Sequence, residues 1–499
     1  MTLNIFYLNI YPILVEFFFL ITICFCLVFA VILSGSTSFY FPVLINNINF
    51  FFLQILIYSF CLIINMSPIY IIYWNNFLIC DSFVFYSKNL ILFFSIVWFF
   101  IFFGEKKILN FEFWILILLS ILSIFFLIQS NDLLSVYVNI EFLSLTFYIL
   151  ASFKRNSEFS TEAGLKYFIL GAFSSSLLLF GFTLLYGFTG LTNFQDLSIF
   201  FNGSFKFITG FFLSSGFFLS LFCILTAFLF KLGTAPFHYW LPDVYEGSST
   251  IVTAFFAILS KLPILILLIK FIFVIFLDLS YQEIFYFLLF CTLTTSIIGT
   301  FGAFSQLKWK RFLAFSSISH LGFFLLNLCT LNPINLTNLI IYLIIYLIMT
   351  CSFFSFFNSL IVLKYPNVYF KRFLHSVSFL NLLNPVLGFS FAIILFSFAG
   401  VPPLAGFFSK FFVLFSAISQ NFFGIVFLLL VLNCLACFYY IKIIKQIYFQ
   451  KFENITLPIY ISSSKTNIFV FGFLLLLTLF GFLNLDFLFL IADLMCLNF

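Results

Sequence analysis

Charge is the scarcest property of this sequence. Of its 499 residues only 7% are Asp, Glu, Lys or Arg, whereas 64% are hydrophobic, and the mean hydropathy is +1.25. Soluble globular domains carry about 25% charged residues, so this composition excludes a soluble protein and any separate soluble domain. We therefore expect one polytopic membrane domain over residues 1–499, with lipid around it and no nucleic-acid partner.

Cofactor-binding patterns are also missing. The sequence has no glycine-rich nucleotide loop, no phosphate-binding loop, no cysteine cluster for iron and sulfur, and no histidine pair at haem-binding spacing. Its 11 cysteines are scattered, and the close pairs Cys24/Cys26 and Cys434/Cys437 lie in apolar runs with no second pair nearby. Because a tetrahedral metal site needs four converging ligands, we interpret them as small buried hydrophobic residues. We expect no cofactor, no metal and no redox chemistry on this chain.

What the sequence does contain is a long series of apolar runs of about 20 residues, the length that crosses a hydrocarbon core of roughly 30 Å. Polar residues separate these runs and define fourteen predicted transmembrane segments. In order, the segments are 12–33, 42–64, 82–103, 112–129, 132–152, 163–187, 208–231, 250–277, 283–305, 310–330, 335–363, 380–419, 422–447 and 467–491. The predicted fold class is an all-α polytopic membrane protein.

The basic residues predict the orientation of the chain. Fourteen of the 21 Lys and Arg residues lie in loops that follow odd-numbered segments, and only Lys206 and Lys270 lie in loops that follow even-numbered ones. Short basic loops stay on the inner side of a membrane. Both termini are therefore predicted to lie on the outer side.

Two of the predicted segments are interrupted. Segment 7 breaks from Gly233 to Pro236, and segment 12 breaks from Gly400 to Pro403. Proline removes a backbone donor, and the freed carbonyls must be satisfied by protein or water, so such breaks usually line a cavity. The breaks are five segments apart, which predicts two inverted five-helix repeats, segments 4–8 (112–277) and 9–13 (283–447). A three-helix unit (1–111) and a C-terminal helix (467–491) flank them.

Five lysines lie inside the predicted segments: Lys88, Lys166, Lys231, Lys261 and Lys410. A lysine at the bilayer centre costs about 2.5–3.5 kcal/mol on insertion scales, so each needs an explanation. Lys88 lies early in segment 3 near Asp81, and we expect it to snorkel or to form a local ion pair. Lys166 lies one turn after Glu162, at the spacing of a helical ion pair.

The remaining charges do not balance. Lys261 is too far from either end of its segment to snorkel, and Glu141, also near mid-segment, cannot neutralise three central lysines. Lysines without a fixed partner can exchange protons, so we expect a proton path, with His238 and His320 as possible relays. Two alternatives stay open: a buried ion pair without function, and histidines that are ordinary core residues.

Four stretches carry a recognisable pattern. They are KLGTAPFHYWLPDVYEGSSTIVTAFFAILSK (231–261), EFLSLTFYILAS (141–152), STEAGLKYFILGAFSSSLLLFG (160–181) and SFAGVPPLAGFFSKF (397–411). Over segments 4–13 the sequence resembles the subunit 2/subunit N family of antiporter-like, proton-pumping subunits of respiratory complex I (NADH dehydrogenase). The fourteen segments are similar to plant, protist and bacterial members and unlike the shortened metazoan form.

The resemblance implies a role in proton transfer for Glu141, Lys166, Lys231, Lys261 and Lys410. It also implies that NAD, FMN, iron–sulfur clusters and ubiquinone act on other subunits, and that the partners are other membrane-arm subunits, both antiporter-like and small. We expect a mitochondrial inner-membrane protein with both termini on the intermembrane-space side. The alternatives are a free-standing cation/proton antiporter and a structural spacer without its own proton path.

Overall fold

Apolar runs of this length fold as helices because hydrocarbon offers no partner to backbone N–H and C=O groups, which must then bond within the segment. A computed structural model describes residues 10–34, 43–103, 111–203, 211–275, 281–330, 333–359, 361–364, 367–370, 372–377, 380–449, 459–461 and 465–497. In its first half the helices are α1 (Leu14–Ser34), α2 (Val43–Ile64), α3 (Ser82–Phe102), α4 (Phe111–Gln129), α5 (Leu133–Ala151), α6 (Glu158–Thr189), α7 (Phe194–Gly203), α8 (Phe211–Leu232), α9 (Trp240–Gly247), α10 (Thr250–Ile258) and α11 (Lys261–Lys270).

The second half continues the series after a π-helical turn at Phe271–Ile275. Its helices are α12 (Tyr281–Phe304), α13 (Trp309–Cys329), α14 (Pro333–Ser359), α15 (Leu380–Leu383), α16 (Pro385–Ala399), α17 (Ala405–Ser419), α18 (Phe423–Phe449), α19 (Lys465–Phe480) and α20 (Leu485–Cys496).

The predicted all-α membrane fold is confirmed. Within the described ranges, eleven helices are long and apolar enough to cross a membrane, and four shorter apolar helices accompany them. Two of those four, α16 and α17, are the halves of predicted segment 12. Every one of the fourteen predicted segments therefore corresponds to helix, while the inverted relation of the two five-helix units stays a prediction.

Several elements at the segment ends were not predicted. A hairpin of β1 (Ile71–Tyr73) and β2 (Leu78–Cys80) precedes α3, and α7 lies between segments 6 and 7. Segment 11 was extended too far, since its helix ends at Ser359 and is followed by β3 (Ile361–Lys364). This strand lies between β4 (Asn367–Phe370) and β5 (Ile459–Ile461), antiparallel to both. Apolar composition alone did not distinguish these short strands from helix.

The helices differ strongly in how much of their surface is buried. In the most apolar 18-residue stretch of each span, 94% of the residues are buried in α13 and in α14. The share is 33% in α18 and 17% in the span formed by α19 and α20. Buried apolar side chains from Val15 to Met495 form one contiguous cluster. Helices α13 and α14 therefore lie at the centre of the bundle.

A third interruption accompanies the two that were predicted. Segment 8 is divided at Leu259 and Ser260 into α10 and α11, with Lys261 as the first residue of α11. Pro263 has no N–H with which to bond the carbonyl of Leu259, so the helix cannot run straight through this point. This interruption was not predicted, although Pro263 is a visible signal for it.

Lys88 neither snorkels nor pairs with Asp81, so both parts of that expectation were wrong. Its Nζ lies 2.6 Å from Oε1 of Glu16 in α1, and the two side chains are 6% and 0% exposed. The Asp81 carboxylate instead accepts the N–H of Val84 at 2.8 Å and caps the N-terminus of α3. The buried pair joins α1 to α3, a contact between residues too far apart in sequence to be expected from local spacing.

Several basic residues that were assigned to loops lie within helices: Lys270 in α11, Lys310 and Arg311 in α13, Lys442 and Lys445 in α18, and Lys465 at the start of α19. Lys270, at the end of α11, is 3% exposed and donates to the carbonyl of Ile128. Lys310 lies in the first turn of α13 and donates to the carbonyl of Ser248. The orientation pattern therefore counted residues near helix ends as well as loop residues, and the bias towards the side of the odd-numbered loops remains.

We expect the Glu16–Lys88 pair to be essential for stable docking of the first helices. Glu16→Gln leaves a buried cation without its anion, which costs about 3–5 kcal/mol in comparable buried pairs. The measurement is the thermal unfolding midpoint of the purified, assembled protein, which should fall. The double variant Glu16→Leu/Lys88→Met removes both charges and should recover most of the loss. A single variant as stable as the parent would contradict this role.

Candidate functional site

At the first break, the carbonyls freed at the end of α8 are satisfied without Lys231. Gly233 adopts φ +75°, in the left-handed region where glycine carries no steric penalty. The N–H and Oγ1 of Thr234 both donate to the carbonyl of Leu229, at 3.1 and 3.0 Å, and Nε1 of Trp240 donates to the carbonyl of Phe230 at 2.9 Å. The Nζ of Lys231 is buried and has no hydrogen-bond partner among the residues described.

At the second break, the lysine itself binds the freed carbonyls. Gly400 turns the chain with φ +83° after the last residue of α16. The Nζ of Lys410 donates to the carbonyls of Phe398 (2.8 Å) and Ala399 (3.1 Å), and also to Oδ1 of Asn433 in α18 (2.6 Å). The negative end of α16 thus faces a cation, which is the favourable arrangement for a helix C-terminus.

Lys261 lies at the third interruption, in contact with α14. It is 4% exposed, its Nζ donates to the hydroxyl of Tyr346 at 3.2 Å, and it lies 5.4 Å from the centroid of the Tyr346 ring. A cation over an aromatic face is stabilised by the ring quadrupole even without an anion. The part of the chain described here offers Lys261 no carboxylate partner.

His320 lies between Lys261 and Lys410. It is 3% exposed, its Nδ1 is 2.7 Å from the hydroxyl of Tyr342, and its ring centroid is 5.4 Å from that of Tyr346. His320 and Lys410 line a common polar cavity of about 10 Å³, close to the space of one water molecule. Lys261, Tyr346, His320 and Lys410 therefore form a continuous row through the second half of the bundle.

Glu141 and Lys166 lie further out than the three central lysines. Glu141 is partly exposed, on the same face of α5 as the exposed Val138 and Leu145, and accepts from Oγ of Ser144 at 3.3 Å. It makes no ion pair among the described residues, so a direct bond to Lys231 is not present. Lys166 pairs with Glu162, as its spacing predicts, at 2.8 Å.

His238, the other histidine considered as a relay, lies directly after the first break. It is 6% exposed, its ring stacks on Tyr239 at 4.6 Å, and its Nδ1 has no hydrogen-bond partner within the described ranges. The structure does not bring His238 into the row formed by Lys261, His320 and Lys410. His238 lies near Lys231 because only six residues of the chain separate them.

A network of ion pairs that the sequence analysis missed lies on the short helix α9. Asp243 binds Lys166 (2.8 Å) and Arg311 (3.0 Å). Glu246 binds Lys308, Arg311 and Arg372, the last at 2.7 Å. Asp243 and Glu246 follow segment 7, Lys308 and Arg311 follow segment 9, Arg372 follows segment 11, and Lys166 lies in the first turns of segment 6. The chain after odd-numbered segments therefore meets at one face, as alternating crossings require. The acidic pair in LPDVYEG beside a broken helix was the available signal.

Burial and ion pairing act in opposite directions on Glu246. Burial raises the pKa of its carboxyl, but the hydrogen bonds from Lys308 and Arg372 outweigh burial and hold the pKa below its ordinary value of 4.5. The ionised form is therefore the one that stabilises the folded protein. Its stabilising effect is complete above the ordinary carboxyl pKa and is lost as the pH falls through the lower, folded-state value.

Tyr342, Tyr346 and Asn433 were also missed, although each leaves a trace in the sequence. The two tyrosines are four residues apart in the run IIYLIIYLIM, a spacing that places both on one helix face. Asn433 is an isolated amide in the apolar run LLLVLNCLAC. A polar side chain inside a membrane segment needs a partner, but the sequence does not indicate which one.

The fold and the lysine-bearing broken helices agree with one class of membrane subunit. The profile of the family described as NADH:quinone oxidoreductase/Mrp antiporter, TM, matches residues 130–436, which include both broken helices. Among solved structures, a chain of respiratory complex I from Thermus thermophilus is 26% identical, with a TM-score of 0.73 over 93% of this chain and 98% of that one. A chain of the Mrp complex from Dietzia shares the fold, with a TM-score of 0.79 at 19% identity over 98% of this chain and 97% of its own.

Sequence relatives identify the branch within this class. NADH-ubiquinone oxidoreductase chain 2 of Marchantia polymorpha is 37% identical over 85% of this chain and 86% of its own length. NADH-quinone oxidoreductase subunit N of Pelagibacter ubique is 37% identical over 69% and 70%. The chain belongs to the NADH-ubiquinone oxidoreductase chain 2/NADH-quinone oxidoreductase subunit N family, and the resemblance seen in its motifs is confirmed.

We expect Glu246→Gln to lower stability in a pH-dependent way. Replacing the carboxylate removes the anion that binds Lys308, Arg311 and Arg372, so the thermal midpoint should fall at pH 7. The difference from the parent should shrink as the pH falls below about 4.5 and should be lost once the pH passes the lower, folded-state pKa of the carboxyl. Glu158→Gln is a matched control, since Glu158 is exposed and forms no ion pair in the described structure. A pH-independent difference would contradict the assignment.

Proposed function

We propose that this chain is a proton-translocating membrane subunit of NADH:ubiquinone oxidoreductase. Its proton path would run through Lys231, Lys261 and Lys410. The observation that carries this proposal is the burial of three lysine ammonium groups beside helix interruptions, with no carboxylate bound to any of them among the described residues. A purely structural charge would be expected to pair, as Lys88 does with Glu16.

In this proposal, the carriers of the second half of the path follow the order of their contacts. The ammonium of Lys261 donates to the Tyr346 hydroxyl, which can pass on its own proton as it accepts another. His320 lies next, with one ring nitrogen bonded to the Tyr342 hydroxyl, and an imidazole can take a proton at one nitrogen and release it from the other. Lys410 shares the cavity of His320, so one water molecule can connect them.

Glu141, Lys166 and His238 are assigned to the first half of the path. Lys231 has no hydrogen-bond partner among the described residues, so its ammonium is free to bind an incoming group. Glu141 lies on the partly exposed face of α5, where a carboxylate can respond to a neighbouring subunit as well as to Lys231. Lys166 is anchored by Glu162 and Asp243 and would sense movements of α9, which follows the break.

The remaining parts of the reaction belong to other subunits in this proposal. NAD, FMN, iron–sulfur clusters and ubiquinone would act elsewhere in the complex, and this chain would use the released free energy to move protons. Its partners would be neighbouring antiporter-like and small membrane-arm subunits, with lipid on the remaining surface. The chain is a multi-pass membrane protein, which we assign to the mitochondrial inner membrane, with both termini on the intermembrane-space side.

Two other functions make different predictions. A free-standing cation/proton antiporter is suggested by the fold shared with the Mrp complex chain, and it would purify without flavin or iron–sulfur proteins. A structural spacer would tolerate loss of its buried lysines. Native purification followed by flavin and iron analysis separates the antiporter from our proposal, and a lysine substitution separates the spacer.

We expect Lys261→Ala to abolish most NADH-driven proton translocation while the complex still assembles. The side chain would be the carrier at the centre of the row, so no other group could replace it. The measurement is acidification of proteoliposomes that contain the purified complex, with assembly followed on native gels. Lys442→Ala, at an exposed position of α18, is the matched control and should pump normally. Undiminished pumping by an assembled Lys261→Ala complex would favour the spacer.

In the same assay, Tyr346→Phe should lower the pumping rate several-fold and leave assembly unchanged. The substitution keeps the aromatic ring over Lys261 and removes only the hydroxyl that accepts its hydrogen bond. Slower pumping by a complex that still assembles would therefore show that the hydroxyl acts in proton transfer and not in packing. A variant that pumps at the parental rate would remove Tyr346 from the path.

A further inference from the structure

The oxygen atoms around Lys410 match the hydrogen-bonding capacity of a protonated lysine. An ammonium carries three N–H donors and no acceptor. Lys410 has three oxygen partners, the carbonyls of Phe398 and Ala399 and Oδ1 of Asn433, at 2.8, 3.1 and 2.6 Å. A neutral amine has only two N–H donors, and its lone pair would face one of these oxygens. The geometry of the site therefore fits the ammonium rather than the neutral amine.

We propose that Asn433 is a positioning residue that holds Lys410 in its protonated form and so sets the pH range in which the second half of the path conducts. This inference rests on the proposed function of Lys410. The other two partners are backbone carbonyls fixed by the break in α16, so Asn433 is the one partner in the group that evolution or mutagenesis can change. Because Lys410 can only donate, the amide oxygen and not the nitrogen must face it.

The contrast with the first break supports a dedicated role for Asn433. There, Thr234 and Trp240 take the freed carbonyls, and Lys231 is left without a hydrogen-bond partner in the described structure. At the second break the lysine itself binds the carbonyls of Phe398 and Ala399, and Cys437 donates to the second of them. Two lysines beside similar breaks are thus held in different ways, one free and one bound.

The charged and titratable groups that face Lys410 do not supply a counter-ion. They are His320 of α13, together with Cys437, Tyr439 and Tyr440 of α18, and α16 contributes backbone carbonyls. Cys437 donates to the carbonyl of Ala399 at 3.3 Å, sharing an acceptor with Lys410. None of these side chains is an anion at neutral pH, so within the described residues the ammonium is compensated by dipoles and by the ring of Phe323, whose centroid lies 5.7 Å from Nζ. Losing the amide oxygen of Asn433 should therefore have a measurable effect on the pH range in which the complex pumps.

The test compares Asn433→Leu with Asn433→Asp in the assembled complex, by measuring proton pumping in proteoliposomes from pH 6 to 9. Leucine is of similar size to asparagine but lacks the oxygen that accepts from Lys410. The fall in pumping at alkaline pH should therefore move to lower pH by about one unit. Aspartate replaces the amide with an anion, so the fall should move to higher pH. Opposite shifts are not expected from a purely structural role, because a packing defect would lower pumping over the whole pH range.

The controls separate this inference from the proposed function. Leu430→Ala, at an exposed position of the same helix, should keep the parental pH profile. Lys410→Met tests the function itself, and parental pumping by that variant would overturn the role of Lys410. If Lys410→Met stops pumping but the Asn433 variants keep the parental profile, the positioning role is overturned and the function stands. If Asn433→Leu does not assemble, the direction of the Asn433→Asp shift still decides the question.

Discussion

The backbone carbonyls left free where a membrane helix breaks are the constraint on which the rest of this structure depends. Hydrocarbon cannot satisfy them, so the protein must supply a donor at each break. Beside α8 the donors are Thr234 and Trp240, and beside α16 the donor is Lys410. Because the donors differ, Lys410 is bound to backbone carbonyls, whereas Lys231 has no hydrogen-bond partner among the described residues.

The positions of the acidic residues also determine which lysines are neutralised. Asp243 and Glu246 neutralise cations at one face of the bundle, and Glu16 neutralises Lys88 in the N-terminal unit. The central lysines are left with hydroxyls, rings and peptide dipoles. These groups stabilise a charge less strongly than a carboxylate does, so a proton held there can still be released. In the proposed function, this difference allows the row to carry protons, which a fully paired interior would not.

The predictions made from the sequence were accurate where they depended on local chemistry. Apolar run length located the helices, and glycine with proline located the breaks at Gly233 and Gly400. The same reasoning should have found the interruption before Lys261, because Pro263 lies in the run. It could not find the partner of Lys88 in Glu16, or place Glu141 on a partly exposed face, since both depend on which helices become neighbours.

The sequence by itself determined that the chain crosses a membrane many times, where its helices break, and that its buried cations outnumber nearby anions. These properties follow from composition and from backbone hydrogen bonding within a single segment. Only the tertiary structure decided the partner of each lysine: Tyr346, 85 positions from Lys261, and Asn433, 23 positions from Lys410. Such contacts are made between helices, and helix packing is set by the shape and burial of many side chains at once.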